Sequence, residues 1–219
     1  MPSQPPPKHY VGSPRRHTLS AGIVLSRVHS VEFAAVDFNP TLAHHPLKGG
    51  RFDATQADKY SYLYAASDDD AAVVEALLRD VASDERGARL LPAKAMERRR
   101  ISWVRPTTDL ELVSLRTGKD LAAVAQDTWL IQTTNYGETR PWGHAIRAWA
   151  PWAEGFAWTS RLEPQGTAYV LFGDRCPSGV LESVVGGTPI DVTDNYLDKG
   201  EGEAYVRRIL AEYRVTLYP

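Results

Sequence analysis

Leu63-Tyr64-Ala65-Ala66-Ser67-Asp68-Asp69-Asp70-Ala71-Ala72-Val73-Val74-Glu75-Ala76-Leu77-Leu78 joins a strand pattern to a helix pattern with no linker between them. Residues 60–66, with Tyr60, Tyr62 and Tyr64 in alternation, read as a strand. Ser67, with Asp70 three positions on, reads as a capping box in which Asp stands for Glu, and predicts a helix over residues 69–82. Asp68, Asp69 and Asp70 also suit the positive end of a helix dipole. Glu75 is the informative acid, because Ala71, Val74, Ala76 and Leu78 surround it at helical spacing and place it on or beside the buried stripe. An uncompensated buried carboxylate is costly, so Glu75 has a partner, borders a cleft, or keeps its stem packed and its head in water.

Before this unit, residues 21–31 carry Ile23, Val24, Leu25 and Val28 and read as a strand, with Ile23, Leu25 and Arg27 on one face. A guanidinium there either grips a carboxylate or pyrophosphate through its planar fork or reaches out to solvent at a sheet edge. A loop with Asn39-Pro40, Pro46 and Gly49-Gly50 follows. Residues 1–16 hold Pro2, Pro5, Pro6, Pro7 and Pro14 and are expected to be a disordered tail, leaving residues 17–219 as one unit. After the helix, residues 83–100 are mixed and end on Arg98-Arg99-Arg100. Residues 110–115 read as a strand and 119–125 as a short helix. Pro141 suits a first helical turn ahead of Trp142, Ile146 and Trp149. Residues 156–161 and 167–173 read as a hairpin around Glu163-Pro164-Gln165-Gly166, with Ser160 closing the row of Phe156 and Trp158. Tyr205, Ile209 and Tyr213 mark one face of a last helix, before a short strand over 215–218. Strands and helices mix without regular βαβ alternation, so the fold class is α+β, a single domain with mixed and antiparallel sheet and flanking helices. Tyr60, Tyr62, Tyr64, Trp152 and Trp158 are expected mainly as core.

The 219 residues can bury roughly seventy per cent of their unfolded surface, enough for a core without metal or disulfide. A formal charge of −2 gives no global basic field for nucleic acid. Cys176 stands alone, which excludes an internal disulfide framework and a cysteine-pair zinc site. No apolar run reaches the roughly 18 residues of a membrane span and no signal-peptide pattern opens the chain, so a cytoplasmic protein with no membrane or direct nucleic-acid partner is expected. Glycine-rich dinucleotide and phosphate loops, a zinc-protease helix and a serine elbow are all missing. His44-His45 is the only close histidine pair and no carboxylate accompanies it at helical spacing, so no metal is expected.

Read together, these positions resemble the RES domain, named for its Arg, Glu and Ser and known as the toxin part of RES–Xre toxin–antitoxin pairs. Leu25-Ser26-Arg27-Val28-His29 is similar to the opening Arg motif, and Gly49-Gly50-Arg51-Phe52-Asp53 to the Gly-Gly-Arg-aromatic segment. Leu63 to Ser67 and Ala71 to Glu75 are similar to the Tyr strand and Glu helix, and Phe156 to Arg161 to the strand that supplies the Ser. The resemblance covers about residues 20 to 175. Val28 stands where some members carry an aromatic, the interval from Glu75 to Ser160 is long, and an Asn-Pro C-terminal motif is not evident.

The resemblance implies an ADP-ribosyltransferase-like fold and NAD+ as substrate, cleaved at the nicotinamide–ribose bond by water or with inorganic phosphate as co-substrate. It implies catalytic roles for Arg27, Glu75 and Ser160, and NAD+ contacts for Arg27, Arg51 and Tyr64, with Tyr64 stacking on nicotinamide. It implies no other cofactor, and as partner an Xre-type antitoxin or other immunity protein. Two alternatives are an ADP-ribosyltransferase acting on a protein and a non-catalytic, partner-binding member.

Overall fold

The computed structural model describes residues 4–45 and 49–219, so Pro2 and Pro46 of the sequence reading lie outside the described residues. Ten strands and five α-helices follow in order. The strands are β1 (Arg16–Leu19), β2 (Leu25–Ser30), β3 (Tyr62–Ala66), β4 (Arg89–Pro92), β5 (Arg99–Pro106), β6 (Leu110–Leu115), β7 (Gly155–Thr159), β8 (Thr167–Phe172), β9 (Leu181–Ser183) and β10 (Val215–Tyr218). The helices are α1 (Asp69–Leu77), α2 (Gly118–Ala123), α3 (Trp129–Gln132), α4 (Tyr136–Trp149) and α5 (Gly200–Glu212).

Eight strands form one sheet in the order β1-β6-β7-β8-β3-β2-β5-β9, antiparallel except for the parallel pair β6–β7, and β10 pairs β4 in parallel as a separate ribbon. The α+β class is as expected. One face of the sheet carries the helices. Tyr62, Phe156, Trp158, Val170 and Phe172 pack there against Trp142 and Ile146 of α4, while Ile101 and Trp103 of β5 pack with Val73, Val74 and Leu77 of α1 and Val206 and Ile209 of α5. Leu25, Leu63, Ala65, Val104 and Leu171 form the other face, covered by Val36, Phe38 and Val180.

The hairpin β7–β8 runs in register from Gly155↔Leu171 to Thr159↔Thr167. Its turn closes through Gly166 N–H donating to Glu163 O at 2.9 Å. Several expectations need correction. β2 starts at Leu25, so Ile23 precedes the strand and is 46% exposed instead of sharing the Leu25 face. Asp68, not Ser67, caps α1, accepting from Ala71 N at 2.7 Å, because Ser67 Oγ is engaged with Asp68 Oδ2 and Thr167 N. α1 stops at Leu77 instead of residue 82; Arg99 Nη1 donates to Ala76 O in its last turn, and Arg161 Nη2 donates to Arg79 O in the turn that follows. α4 begins at Tyr136, which puts Pro141 inside the helix and not in its first turn.

The segment expected to be a disordered tail touches the body at Gln4 and Tyr10. Tyr10 stacks on Trp149 at 3.8 Å and donates to Ala123 O, Trp142 Nε1 donates to Gln4 O at 2.9 Å, and β1 already begins at Arg16. Aromatic surface on α4 gives this proline-rich segment something to bury, which its composition alone does not suggest.

Candidate active site

β3 pairs β8 along its whole length, from Tyr62↔Phe172 to Ala66↔Ala168, but meets β2 at Ser26↔Ala66 alone. On its other edge β2 pairs β5 along its whole length, from Leu25↔Val104 to Ser30↔Arg99. A cavity of about 180 Å³ opens where the strands part, lined by Arg27 and Val28 of β2, Tyr64 and Ala65 of β3, Trp158 of β7, Arg99 of β5, Glu75, Ala76 and Arg79 from the α1 region, Gly50-Arg51, and Tyr136 of α4.

Glu75 sits on the wall formed by α1. Its Oε1 accepts from Ser160 Oγ at 2.8 Å and from Arg161 N at 3.0 Å, and Oε2 accepts no hydrogen bond from the described residues. Ser160 is 2% exposed and lies behind the carboxylate, just past the end of β7, where its own N–H donates to Gly166 O. The hairpin turn thus fixes one carboxylate oxygen and leaves the other without a hydrogen bond from the described residues, on a side chain that lines the cavity. Of the alternatives open to Glu75, the structure takes the cleft border.

The Gly-Gly-Arg segment forms the opposite wall. Asp53, 4% exposed, accepts from Gly50 N at 2.6 Å and from Tyr64 OH at 2.9 Å, while Tyr64 OH accepts from Phe52 N. A Cβ on Gly50 would stand 2.5 Å from Asp53 Oδ1 and 2.7 Å from Tyr64 OH, so the close approach requires glycine. Tyr64 meets Trp158 edge-on at 6.2 Å, and burial together with the Asp53 charge raises its phenol well above the ordinary range. Arg51, 3% exposed, donates Nη1 to Leu130 O at 2.7 Å and Thr133 O at 2.9 Å, and its guanidinium lies 5.0 Å from the Tyr136 ring. Burial lowers its pKa, opposed by Tyr136 and Glu75.

Arg27, 4% exposed, donates Nη1 to Ala35 O at 2.5 Å and to Ala34 O at 3.4 Å. Burial pushes its pKa down to about 10, against the pull of Asp37. Arg27, Arg51, Tyr64 and Glu75 therefore line one cavity and Ser160 bonds to the last of them. Three lining residues escaped the sequence reading. Arg79 lies four positions after Glu75, but α1 ends at Leu77, so it reaches the cavity from the turn after the helix and not by helical spacing. Arg99 lay hidden in a run of three arginines, where strand alternation would have singled out the middle one. Tyr136 follows Asn135 in what reads as a loop and carried no signal. Among the described lining residues, four arginines face a single carboxylate, Glu75.

The family model of the RES domain matches residues 24–195, more than three-quarters of the chain. The chain belongs to the RES-domain family. No curated protein matches it. In fold it is similar to a chain of the crystal structure of the M. tuberculosis MbcT–MbcA toxin–antitoxin complex, at 20% identity and a TM-score of 0.55, covering 76% of this chain and 84% of that one. The RES match takes in β2 through β9 with every cavity residue named above, and leaves β1 before it and α5 and β10 after it. Among the described residues of this RES domain no group of three or more His, Cys, Asp and Glu side chains suits a metal, and no helix is long and apolar enough to cross a membrane.

Proposed function

We propose that this cleft binds NAD+ and breaks its nicotinamide–ribose bond, and that the protein acts as the toxin of a toxin–antitoxin pair, arresting growth by depleting NAD+. The observation that carries the reading is Glu75, held through Oε1 by Ser160 and Arg161, with no hydrogen bond to Oε2 from the described residues, lining a cavity of four arginines and aromatic walls. Breaking the bond sends its electron pair to the pyridinium nitrogen, so nicotinamide leaves neutral and positive charge builds on the ribose. A carboxylate beside that carbon favours the oxocarbenium-like state, as in glycosidases. Water or inorganic phosphate then bonds to the same carbon and ADP-ribose or its phosphate is released. The enclosed volume is below the roughly 300–1,000 Å³ of pockets for drug-sized ligands, which suits one end of a dinucleotide with the remainder lying across the mouth. Tyr64 and Trp158 offer ring surface for nicotinamide, and an antitoxin of the Xre type would act by covering the cleft.

The test is NAD+ loss by purified protein, with and without phosphate, for wild type and Glu75→Gln. Gln keeps the acceptor that Ser160 and Arg161 use but removes the charge, so turnover is expected to fall about 10²- to 10³-fold with the melting temperature unchanged or slightly higher. Full turnover in the variant removes Glu75 from the mechanism. Induced expression should halt bacterial growth as cellular NAD+ falls; arrest at constant NAD+ refutes depletion.

A further inference from the structure

The four arginines of the cleft differ in what their donors already do. Arg27 and Arg51 direct theirs to main-chain carbonyls, Ala34 and Ala35 for one, Leu130 and Thr133 for the other. A guanidinium carries five N–H donors in a planar fork. Arg99 gives Nη1 to Ala76 O at 3.2 Å, and Arg79 Nε is ion-paired with Asp80 Oδ2 at 3.2 Å while its guanidinium lies 5.7 Å from the Tyr136 ring. Asp80 is 57% exposed at its side chain, so that pair is a solvated one of small worth. Neither guanidinium makes another hydrogen bond or ion pair with the described residues. Glu75, four positions before Arg79, is not ion-paired to it and accepts from Ser160 and Arg161 instead.

Two cations from separate elements thus share one cavity with most donors unused and neither ion-paired to Glu75, the one carboxylate among the described lining residues. Burial first, and the Arg79 charge second, lower the pKa of Arg99, the sign of two like charges held close. An oxyanion entering between them would relieve that repulsion and take up the free donors in the bidentate geometry that guanidinium favours.

We infer that Arg79 and Arg99 together form an oxyanion subsite for a phosphoryl group, with Arg79 four positions past Glu75 and just beyond the end of α1. The phosphoryl group has two sources, the pyrophosphate of a dinucleotide or free inorganic phosphate; only that assignment of source rests on the function proposed above.

The experiment titrates inorganic pyrophosphate and inorganic phosphate calorimetrically, at fixed ionic strength, onto wild type, Arg79→Gln, Arg79→Lys and Arg99→Gln, with thermal unfolding recorded for each. Either Gln variant is expected to raise the pyrophosphate Kd about 10- to 100-fold, the effect of losing a charge-assisted hydrogen bond, and Arg79→Lys to recover part of it. Wild-type binding unchanged in both Gln variants, or no binding of either anion to wild type, overturns the subsite. If Arg99→Gln does not fold, Arg79→Gln decides, since its parent side chain is 31% exposed and removal disturbs little packing. Steady-state rates separate the sources: a raised KM for NAD+ assigns the substrate's pyrophosphate, and a raised KM for phosphate alone assigns the free ion. Anion binding that depends on Arg79 in a protein that leaves NAD+ intact keeps the subsite and refutes the proposed function. NAD+ turnover with both KM values and anion binding untouched by the variants does the reverse.

Discussion

The two flanks of β3 are built differently. Toward β8 the ladder is closed along every residue of β3, and toward β2 it holds at Ser26↔Ala66 and then opens. The closed flank is a rigid floor whose side chains, Tyr62 and Tyr64 among them, are set by backbone pairing. The open flank is held by side chains: Asp69 on α1 accepts from Ser26 Oγ of β2, from Trp103 Nε1 of β5 at 2.7 Å, and from Tyr205 OH of α5 at 2.5 Å. The comparison teaches where a cleft comes from. A sheet that pairs everywhere has no room between strands, whereas one interrupted ladder, bridged by a helix over the gap, makes a cavity and keeps its walls in place.

Disturbing the closed flank should cost most. A Cβ on Gly155 would meet Val170 O at 2.2 Å, a backbone atom of the paired strand that cannot yield. Gly155→Val should lower stability by about 3 kcal/mol or more, read as a shifted denaturation midpoint; a change under about 1 kcal/mol would show the floor to be softer than its ladder implies.

The open half should respond to pH. His29 of β2 is 8% exposed, bonded through Nε2 to Ser102 Oγ of β5, and burial first, then the Arg27 charge, push its pKa down to about 4. The unfolded chain takes up that proton near pH 6.5 and the folded one near 4, so stability should fall as the pH drops through this window, by roughly 3 kcal/mol in all. His29→Gln should flatten that slope in unfolding curves between pH 7 and 4, and an unchanged slope would assign it to another group.

A single bridge across the gap is worth less. Tyr205→Phe removes one hydroxyl from the Asp69 carboxylate and should cost about 1–1.5 kcal/mol in chemical denaturation; no cost would mean that α5 does not brace α1. Smallest of all, Glu32→Gln breaks an ion pair with Arg98 in which both side chains are more than 60% exposed. Stability should stay within about 0.5 kcal/mol, and a larger loss would show β2 and β5 to depend on their rim.

Much of the site was visible locally. The strand–helix unit carrying Tyr64 and Glu75, the hairpin ending at Ser160 and the paired glycines before Arg51 all follow from alternation, capping and turn chemistry within a few residues. What escaped depends on distant partners. Only Arg99 and Arg100 of β5 fall in the stretch that reads as mixed and basic, and the rest of the strand has no reading, yet β2 selects it as its partner from Leu25 to Ser30. The end of α1 likewise involves distant groups, with Arg99 reaching the Ala76 carbonyl in its last turn and Arg161 the Arg79 carbonyl just beyond it.

By itself the sequence determined which residues are apolar, which turn and which carry charge on an otherwise apolar stripe, because periodicity and capping act over one or two turns of chain. That suffices to place Glu75 at a boundary and Ser160 at the end of a strand. Only the tertiary structure decided that these two, 85 positions apart, share a hydrogen bond, that the proline-rich segment docks on α4, and that Arg79 and Arg99 face one cavity. Each is a choice of long-range partner, set by which strand edges pair and which stay open, and local pattern holds no information about that choice.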